Sequence, residues 1–525
     1  MVVGSEPLAT DAGLEILKAG GNAVDAAVAV GFAMAVTYPE AGNIGGGGFM
    51  LIRRASGESI AVDYREEAPA AATRNMYLDS QGVPVAGSST VGARAAGVPG
   101  TVAGLALAHQ KYGKLPWKRV LQPAIRLAAG FPVSYELSEL LKSERENLEK
   151  FPETRRIFLR GGYPYEADEI LRQPDLARTL RRIAAGGPEA FYRGPVAQAI
   201  AASIRKHGGL ITADDLRQYQ AKLRPPIRAT FRGYEILAMP PPSSGGVGLV
   251  EMLNVLEPLD LGQPNSFHSM RLIAETMRRA YADRAAFLGD ADFVSVPSKG
   301  LTSKTYAARL REEILRGKSA APVTAGEPSS FESAETTHFS VVDAEGNAVG
   351  NTYTLNGWFG CDVTVEGTGV LLNNEMDDFA ARPGAPNMFG LVQGEANAIA
   401  PRKRPLSSMT PTIVLRDGKV RLVLGSPGGG TIINTVLQVL LNVIAFHMDI
   451  REAVAAPRFH HQWMPDRLIL ERRGFSADTI HLLEEAGYEL GYRDRMGICE
   501  AIEIDPAGWR FGAADPRAGG KAAGY

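Results

Sequence analysis

Two strand-like segments separated by a short turn place the strongest constraint on how this chain can fold. Residues 336–343 alternate polar and β-branched side chains, and residues 348–355 repeat that pattern. Three-residue hairpin loops favour glycine at the last, left-handed position, which predicts that residues 344–346, Ala-Glu-Gly, form the loop. The two segments are therefore expected to pair as an antiparallel hairpin.

The length of this loop fixes which residues face each other. Asp343 is predicted to lie opposite Asn347, and counting back along both strands places Thr336 opposite Thr354. Side chains directly opposite each other in an antiparallel pair lie close enough for two threonine hydroxyls to share a hydrogen bond. The spacing thus predicts a way to hold a lone hydroxyl in place.

Thr336 follows a stretch rich in proline, serine, alanine and glycine, residues 317–334. Cleavage of the Glu335–Thr336 peptide bond would give Thr336 a free α-amine beside its own hydroxyl. An α-amine has a pKa of roughly 7.7–8.0, which suits a general base at neutral pH, and such an amine can activate a threonine nucleophile. The simpler interpretation is an ordinary strand start, because threonine is common in strands.

Composition excludes several classes of partner. The chain has 525 residues, of which 45% are hydrophobic, and a formal net charge of −2 from 56 basic and 58 acidic side chains. This balance argues against nucleic acid and acidic membrane surfaces as partners. The length predicts two to four domain-sized units or one large core with two intertwined parts. Cys361 and Cys499 match neither a metal motif nor a disulfide framework, although a single pair stays open.

No membrane span is predicted. Residues 26–36 are apolar but too few, and residues 435–446 include Gln438 and Asn442, which suits a buried helix better. The first seven residues show no basic region followed by an apolar core, so no signal peptide is expected in this sequence. Either the protein is cytosolic or a leader has been omitted.

The order of predicted elements indicates the fold class. Residues 23–36, 247–256 and 266–287 are predicted helices, and residues 49–54 and 59–64 form a predicted strand pair. The second half contains hairpin-paired strands and one helix, residues 431–446, that follows a glycine-rich turn. This order predicts an α+β sandwich with helices outside two sheets.

Two glycine-rich segments have different interpretations. In residues 45–48 the glycines precede a strand instead of opening a helix, so they favour close backbone packing over nucleotide binding. In residues 425–430 the glycines lead into a helix, where free backbone N–H groups can receive an anion. The second segment is either an oxyanion site or a plain capping turn.

Charged residues gather at two places. Arg65 ends a predicted strand beside Glu66 and Glu67, a pattern that is also typical of a solvated salt-bridge cluster, and residues 373–379 bring carboxylates and amides together after a buried strand. His460 and His461 suggest a metal, but adjacent residues of a strand point in opposite directions. No metal site and no cofactor are predicted.

Six segments in this order resemble the γ-glutamyltransferase (glutathione hydrolase) proenzyme family, and the resemblance spans nearly the whole chain. The segments are residues 45–49, 63–66, 336–343, 373–379, 404–409 and 425–429. The resemblance implies a four-layer αββα sandwich of the N-terminal nucleophile hydrolase type. It also implies that the precursor cuts itself before Thr336. A large chain, residues 1–335, and a small chain, residues 336–525, would remain associated as one intertwined unit.

The resemblance assigns the chemical roles to four residues. Thr336 matches the nucleophile, and Thr354 matches the second threonine that hydrogen-bonds to it. Gly428 and Gly429 match the oxyanion hole, whose N–H pair stabilises the charge that develops in the transition state.

The resemblance also implies a site for a free amino-acid head group. Arg65 would hold the substrate α-carboxylate, because a guanidinium fork suits that group, and Ser407 and Ser408 would add hydroxyl donors. The α-ammonium would be received by Asp378 together with Asn356 and Glu375.

Three features depart from the family pattern or vary within it. Glu375 stands where many bacterial relatives have glutamine, and Gly357 and Trp358 stand where small hydroxyl residues are common, which would reshape the acceptor side. Residues 383–394 resemble a lid loop, with Phe389 where an aromatic residue often gates the site.

The expected function is a self-processing γ-glutamyl hydrolase/transferase that cleaves glutathione-like amides through a γ-glutamyl-Thr336 ester. Water or the amine of an amino acid or peptide would resolve the ester. The family is usually exported, so a periplasmic or secreted protein is expected, with this sequence starting just after the leader region.

Two alternatives stay open. The first is an acylase of the same fold with another side-chain specificity, such as glutaryl-cephalosporin, which the intact Arg65/Asp378 pair disfavours because a glutaryl group lacks the α-ammonium. The second is a non-catalytic γ-glutamyl-binding protein, which the intact Thr336, Thr354 and glycine pair disfavour.

Overall fold

Two β-sheets form the centre of the structure, a computed structural model that describes residues 1–326, 337–392 and 394–525. Their strands in chain order are β1 (Val2–Gly4), β2 (Gly47–Arg53), β3 (Ser59–Tyr64), β4 (Lys222–Arg224), β5 (Ile227–Phe231), β6 (Tyr234–Ala238), β7 (Thr337–Val342), β8 (Ala348–Thr354), β9 (Thr412–Arg416), β10 (Lys419–Gly425), β11 (Glu500–Ile504), β12 (Arg510–Ala513) and β13 (Lys521–Ala523).

The seven-stranded sheet has the order β13-β1-β7-β8-β2-β3-β4, and the six-stranded sheet has the order β12-β11-β10-β9-β6-β5. All neighbouring strands in both sheets are antiparallel. Each sheet contains strands from before and after position 336, and the hairpin β7-β8 lies between β1 and β2. The two parts of the chain therefore share both sheets.

Six helices cover the outer faces of the sheets. They are α1 (Pro7–Lys18), α2 (Ala23–Thr37), α3 (Thr101–Tyr112), α4 (Gly245–Leu256), α5 (Phe267–Phe287) and α6 (Thr431–Ile444). All 15 residues of α2 are buried, as its almost continuous alanine and valine sequence predicts. Asn22 begins α2 with a capping box in which its side chain accepts from the Asp25 amide.

Three apolar layers fill the spaces between these elements. One lies between the two sheets and contains Phe49, Leu51, Ile413 and Val423. A second joins α1–α3 to the seven-stranded sheet, and a third joins α4–α6 to the six-stranded sheet. The layer order is helix, sheet, sheet, helix, which confirms the predicted αββα sandwich.

Shorter elements complete the described residues. The remaining helices are Trp117–Val120, Gln122–Ala128, Tyr135–Ser143, Arg145–Leu148, Pro152–Phe158, Pro174–Gly186, Glu189–Tyr192, Pro195–Lys206, Ala213–Gln218, Ser298–Leu301, Lys304–Arg316, Ile450–Ala455 and Ala477–Glu485, with 3-10 turns at Ala93–Ala95, Glu375–Asp378 and Glu395–Asn397. The remaining strands are Phe131–Pro132, Leu159–Arg160, Tyr163–Pro164, Ile170–Leu171, Thr364–Val365, Val370–Leu371, Phe459–His460, Leu468–Glu471 and Leu490–Arg493. Within residues 1–326, 337–392 and 394–525, no helix is long and apolar enough to cross a bilayer.

The register of the β7-β8 hairpin agrees with the count made from the sequence. Thr337 pairs with Tyr353, and the pairing continues in step to Val342 and Ala348. Gly346 has a φ of 92°, the left-handed conformation expected at the end of a three-residue loop. The predicted pairing of Thr336 with Thr354 continues this register, but Thr336 itself lies outside the described residues.

Candidate active site

Thr354 is the last residue of β8 and is fully buried. Its hydroxyl oxygen accepts a hydrogen bond from the Asn356 amide at 2.8 Å, and its carbonyl accepts from the Asn43 side chain at 2.7 Å. On the other side of the strand lies the glycine run that leads into β2, where a Cβ on Gly46 would overlap the Thr354 carbonyl oxygen. The glycines therefore permit close backbone packing beside the end of β8, as the sequence indicated.

Asn356, two residues after the end of β8, connects Thr354 to a second group of amide side chains. Its φ is 77°, a left-handed conformation that asparagine tolerates better than most residues, and its side chain donates to the Asn374 carbonyl at 3.1 Å. The Asn373 side chain, next to Asn374 in the sequence, makes hydrogen bonds with four backbone groups. Two belong to Gly97, one to Gly45 and one to Glu375. This network positions the turn that contains Glu375 and Asp378.

Arg65 lies at the centre of a fully buried ionic cluster. Its Nη1 and Nη2 atoms pair with Glu375 and Asp378, and all three side chains are completely shielded from solvent. Nε donates to the Pro405 carbonyl and Nη2 to the Leu406 carbonyl, each at 3.1 Å. The guanidinium therefore joins the acidic turn to the segment that leads into Ser407 and Ser408. We call Arg65, Glu375 and Asp378 the head-group clamp.

Glu66 adds a third carboxyl group to the clamp. It lies 3.7 Å from Arg65 Nη1, too far for a hydrogen bond, and the pKa of Glu66 is raised well above its ordinary value by burial and by the neighbouring Glu375. Burial also raises the pKa of Glu375, although Arg65 opposes that shift. Both Glu66 oxygens and Glu375 Oε2 are buried without a hydrogen-bond partner among the described residues.

Two carboxyl groups in contact cannot both ionise easily, and one proton shared by Glu66 and Glu375 would satisfy two of these three oxygens. With Glu66 neutral, the clamp holds one positive charge and two negative charges. Its net charge of about −1 favours a ligand head group that brings an ammonium together with a carboxylate.

Two buried serines extend the clamp. The Ser407 hydroxyl oxygen accepts from the Met409 amide at 3.1 Å, and the Ser408 hydroxyl oxygen accepts from Arg284. Because both oxygens act as acceptors in these contacts, each hydroxyl proton can be donated to a further acceptor. This arrangement suits two donors to one substrate carboxylate.

Arg284 and Tyr281 were not recognised from the sequence. Both lie on α5 and are almost fully buried; the guanidinium is 5.7 Å from the tyrosine ring centre, and the Tyr281 hydroxyl donates to the Gly430 carbonyl. Arg284 also donates to Ser244 at 2.8 Å. One helix therefore contacts both Ser408 and the glycine turn. The signal that could have revealed Arg284 is its position on the apolar stripe of α5, four and seven residues after Ala280 and Met277.

The glycine turn follows β10 and precedes α6. Gly428 and Gly429 have φ values of 127° and 58°, and their carbonyls accept the first amides of α6. Neither of their own N–H groups donates to an acceptor within the described residues. Gly429 is left-handed and the next residue, Gly430, is right-handed with a φ of −55°, and such alternation turns successive backbone amides towards one side, as in anion-binding nests.

This turn lies near the start of β7. Gly425, the last residue of β10, packs so closely on the His338 imidazole that a Cβ there would overlap Nδ1. His338 is two residues after Thr336 in the sequence. The pKa of His338 is lowered to about 3 by burial, so the imidazole is neutral. It binds Thr352 and Ser340 at 2.8 and 3.0 Å.

The predicted lid loop approaches the site through Met388. The Asn356 side chain lies 3.8 Å from Met388 Sδ, and the Met388 amide donates to Asp377 at 3.1 Å. Phe389 is instead half-buried against the apolar layer of the six-stranded sheet. Gln393, within this loop, lies outside the described residues.

The structure thus brings together nine of the ten residues singled out for catalysis and binding; the tenth, Thr336, is not described.

The candidate metal ligands His460 and His461 are buried and hydrogen-bonded to protein groups. No cluster of three metal-ligating side chains occurs in the described part of the chain. Cys361 and Cys499 are buried and do not form a disulfide, so the pairing left open by the sequence is absent between them.

Comparisons with known proteins agree with this geometry. A sequence profile described as "Gamma-glutamyltranspeptidase" matches residues 9–525. The glutathione hydrolase proenzyme of Escherichia coli (strain K12) is 50% identical over 98% of this chain and 90% of that protein. Relatedness therefore extends across both sheets and the site.

Two solved structures resemble the whole fold or a large part of it. The cephalosporin acylase from Bacillus halodurans has a TM-score of 0.90 and 28% identity, covering 100% of this chain and 95% of that one. The γ-glutamyltranspeptidase of Helicobacter pylori has a TM-score of 0.58 and 46% identity, covering 62% of this chain and 92% of that one. The sandwich is that of the N-terminal nucleophile hydrolases. The chain belongs to the γ-glutamyltranspeptidase family and is a self-processing γ-glutamyl hydrolase/transferase.

Proposed function

We propose that Thr336 is the nucleophile and that it becomes active when the chain cuts itself between Glu335 and Thr336. Residues 1–335 and 336–525 then form the two chains of the mature enzyme. The sharing of both sheets by strands from either side of position 336 supports this division, because neither part has a complete sheet. The cut frees the α-amine of Thr336, the general base that its hydroxyl requires.

In the first half of the reaction, the Thr336 hydroxyl adds to the γ-carbonyl carbon of the donor and its proton passes to the α-amine. The N–H groups of Gly428 and Gly429 stabilise the oxyanion, and Thr354 orients the hydroxyl. The C–N bond then breaks, and the leaving nitrogen takes the proton from the α-amine. The products are a γ-glutamyl-Thr336 ester and a free amine.

In the second half, water or an amine attacks the ester carbon. The C–O bond to Thr336 Oγ breaks, and a proton from the attacking group returns to Oγ through the α-amine. Hydrolysis releases glutamate, and transfer to an amine releases a new γ-glutamyl amide. Glutathione is the donor we propose, because its γ-glutamyl head group has both a free α-carboxylate and a free α-ammonium.

The observation that carries this proposal is the head-group clamp. Arg65, Ser407 and Ser408 offer hydrogen-bond donors to the α-carboxylate of the substrate. Glu375 and Asp378, which pair with Arg65, offer acceptors to the α-ammonium. Asn356, beside the end of β8, lies on the ammonium side of the site. A zwitterionic head group can exchange with the Arg65 ion pairs without adding net charge to the buried site. A group without the ammonium would bring a carboxylate into a site that is already negative.

This argument also favours γ-glutamyl amides as substrates over glutaryl amides, which are the substrates expected of the alternative acylase. The acylase resemblance concerns the fold, whereas the clamp concerns the head group. For the compartment, we propose an exported enzyme on the basis of the family resemblance. Fractionation of cells that express the natural gene tests that assignment.

The test of the proposed function combines maturation with donor preference. Intact-protein mass spectrometry of purified wild type should give two chains that meet at Glu335/Thr336, and Thr336→Ala should stay uncut. The cut enzyme should hydrolyse γ-glutamyl-p-nitroanilide at least 100-fold more efficiently than glutaryl-p-nitroanilide. An uncut wild-type chain, cleavage in Thr336→Ala, or a preference for the glutaryl compound would overturn the assignment.

A further inference from the structure

The head-group clamp is closed to solvent, so a donor can enter only if part of its cover moves. The three side chains of the clamp have no exposed surface. Residues 385–389, which we call the cover segment, contact the site twice. Asn387 Nδ2 lies 3.5 Å from Asp378 Oδ1, and Met388 Sδ lies 3.8 Å from Asn356 Nδ2. Because Met388 is itself 46% exposed, it joins a solvent-facing segment to the edge of the site.

The Met388 side chain touches the turn after β8 through weak contacts. The Asn356 amide donates to the Asn374 carbonyl at 3.1 Å and also to the Met388 sulfur, although a thioether is only a weak acceptor. A Cβ on Gly357 would lie 3.2 Å from Met388 Cε, so the methyl group packs on the backbone there. Asn356 Oδ1 is buried without a partner among the described residues, which leaves it available to a substrate ammonium.

Met388 is also one of the few sulfur atoms that an oxidant in solution can reach. In the described part of the chain only two methionines are more than a third exposed, Met388 at 46% and Met464 at 41%. Cys361 and Cys499 have no exposed surface, and burial raises the pKa of each thiol to about 12, so the readily oxidised thiolate is scarce. A peroxide would therefore meet the sulfur of Met388 or Met464 first.

We propose that Met388 is an oxidation site, at which a peroxide converts the thioether to a sulfoxide and thereby strengthens the contact between the cover segment and Asn356. The sulfoxide is polar, and its oxygen accepts hydrogen bonds better than the thioether sulfur does. The 3.8 Å between Met388 Sδ and Asn356 Nδ2 accommodates a bent S–O···H–N arrangement, because a normal N–H···O bond spans about 2.9 Å. The cover segment then leaves the clamp less often, and donor entry slows.

The oxidation step balances with the peroxide as co-reactant. A lone pair of Met388 Sδ attacks one peroxide oxygen, and the O–O bond breaks. The second oxygen leaves as hydroxide and takes the proton of the transferred oxygen, which gives water. The sulfur loses two electrons and the peroxide gains them. A methionine sulfoxide reductase reverses the change.

This modification would lower the activity of the enzyme when peroxide is present. Because glutathione is the donor we propose, its consumption would fall under the conditions in which a thiol reductant is most needed. That consequence rests on the proposed function, whereas the oxidation of Met388 and its contact with Asn356 do not.

The experiment treats the matured enzyme with hydrogen peroxide and locates the added oxygen by peptide mass spectrometry. Oxidation at Met388 should lower kcat/KM for γ-glutamyl-p-nitroanilide about two- to tenfold, the range that one added hydrogen bond can supply. Amide hydrogen exchange of the cover segment should slow by a similar factor, because exchange reports how often the segment opens. Methionine sulfoxide reductases A and B with a thiol reductant should restore both values.

Two single variants separate Met388 from the other exposed sulfur. Met388→Leu keeps a side chain of similar volume but has no oxidisable atom, so its rates before and after peroxide should agree. Met464→Leu is the matched control, because it removes a sulfur of nearly equal exposure. It should respond to peroxide as the wild type does.

Three results would overturn the proposal: oxidation of Met464 without oxidation of Met388, oxidised Met388 with unchanged or faster exchange or with unchanged kcat/KM, or equal inhibition of Met388→Leu. Absence of hydrolysis in the untreated wild type would instead overturn the proposed function. In that case the exchange measurement would still decide whether oxidation strengthens the contact of the cover segment.

Discussion

The head-group clamp and the glycine turn act in the same reaction, but the clamp consists of charged side chains and the turn consists of backbone amides. The clamp consists of side-chain charges, with Arg65 paired to Glu375 and Asp378 and closed off from solvent. The turn offers only the backbone of Gly428 and Gly429, in left-handed conformations after β10. One region recognises a head group by charge, and the other stabilises charge that exists only during the reaction.

This difference predicts different consequences of substitution. A change in the clamp alters ground-state binding as well as the transition state, so it should act mainly on donor KM and on the choice between donors. A change in the turn should act on kcat, because the oxyanion forms only after attack. The clamp is also a buried ionic cluster whose disruption costs stability, whereas the turn depends on local backbone geometry.

The largest effect is expected from Gly428→Ala. The substituted residue would keep a φ of 127° with difficulty, and its Cβ would overlap Thr431 Oγ1, so the amide pair would be displaced. We expect kcat to fall about 10²–10³-fold, the usual loss of one oxyanion donor, with donor KM within about threefold. Steady-state kinetics of the matured enzyme measure both.

Gly418→Ala is the control for backbone strain. Gly418 also has a positive φ, 76°, but a Cβ there would meet no atom within 4 Å. Its substitution should lower the thermal unfolding midpoint by a few degrees and leave kcat unchanged. Equal losses of kcat in both variants would mean that strain, not the lost amide geometry, explains the effect at Gly428.

A smaller and more selective effect is expected from Asp378→Asn. The amide keeps the shape of the side chain but removes the negative charge that faces Arg65 and the substrate ammonium. We expect kcat/KM for γ-glutamyl-p-nitroanilide to fall about 100-fold, mostly through KM, as for the loss of one partner in a buried charged pair. The efficiency towards glutaryl-p-nitroanilide should fall less, so the preference between the two donors should narrow.

Asp377→Asn provides the neighbouring comparison. Asp377 binds Ser89 at 2.6 Å and the Met388 amide at 3.1 Å and does not contact Arg65. We expect this variant to keep kcat/KM within about threefold and to keep the donor preference. If both aspartates changed the preference equally, the clamp would not be the source of head-group recognition.

How far the sequence predicts the fold depends on how local the signal is. The β7-β8 register follows from one alternating pattern and one loop glycine, and the burial of α2 follows from its apolar composition. The sequence does not show that β1 lies between β7 and β13, where Val2 faces Val341 on one side and Ala523 on the other. Such pairings join residues hundreds of positions apart, and no local pattern encodes them.

The same distinction between local sequence patterns and long-range packing applies to the site residues. Arg65, Asp378 and the glycine turn lie in short segments, and the resemblance of these segments to the family assigned their roles. Tyr281 and Arg284 lie in the middle of a long helix, and their contacts with Gly430 and Ser408 depend on how α5 packs against two distant loops. The pairing of Arg65 with both acidic residues was likewise not predicted, because the family resemblance assigned these carboxylates to the substrate ammonium alone.

The smallest effect on activity is expected from Glu66→Gln. This variant tests whether Glu66, unlike Glu375 and Asp378, plays no direct part in binding the substrate ammonium. Burial and the adjacent Glu375 raise the pKa of Glu66 well above its ordinary value, which favours a neutral carboxyl group in the folded enzyme. A glutamine has the same charge there, and its N–H can replace the shared proton towards Glu375. We expect kcat/KM to stay within about twofold of wild type, whereas Glu375→Gln should reduce it.

Stability should nevertheless respond to pH. In the unfolded chain Glu66 ionises near its ordinary pKa of about 4.3, whereas the folded state retains the proton. The stability that this proton contributes is complete below that pKa and is lost progressively as pH rises towards the folded-state pKa. Glutamine does not titrate, so the unfolding midpoint of Glu66→Gln should rise relative to wild type as the pH increases above the ordinary glutamate pKa of about 4.3. Parallel pH profiles for the two proteins would show that Glu66 is ionised in the folded state, and the clamp would then carry a net charge of about −2 instead of −1.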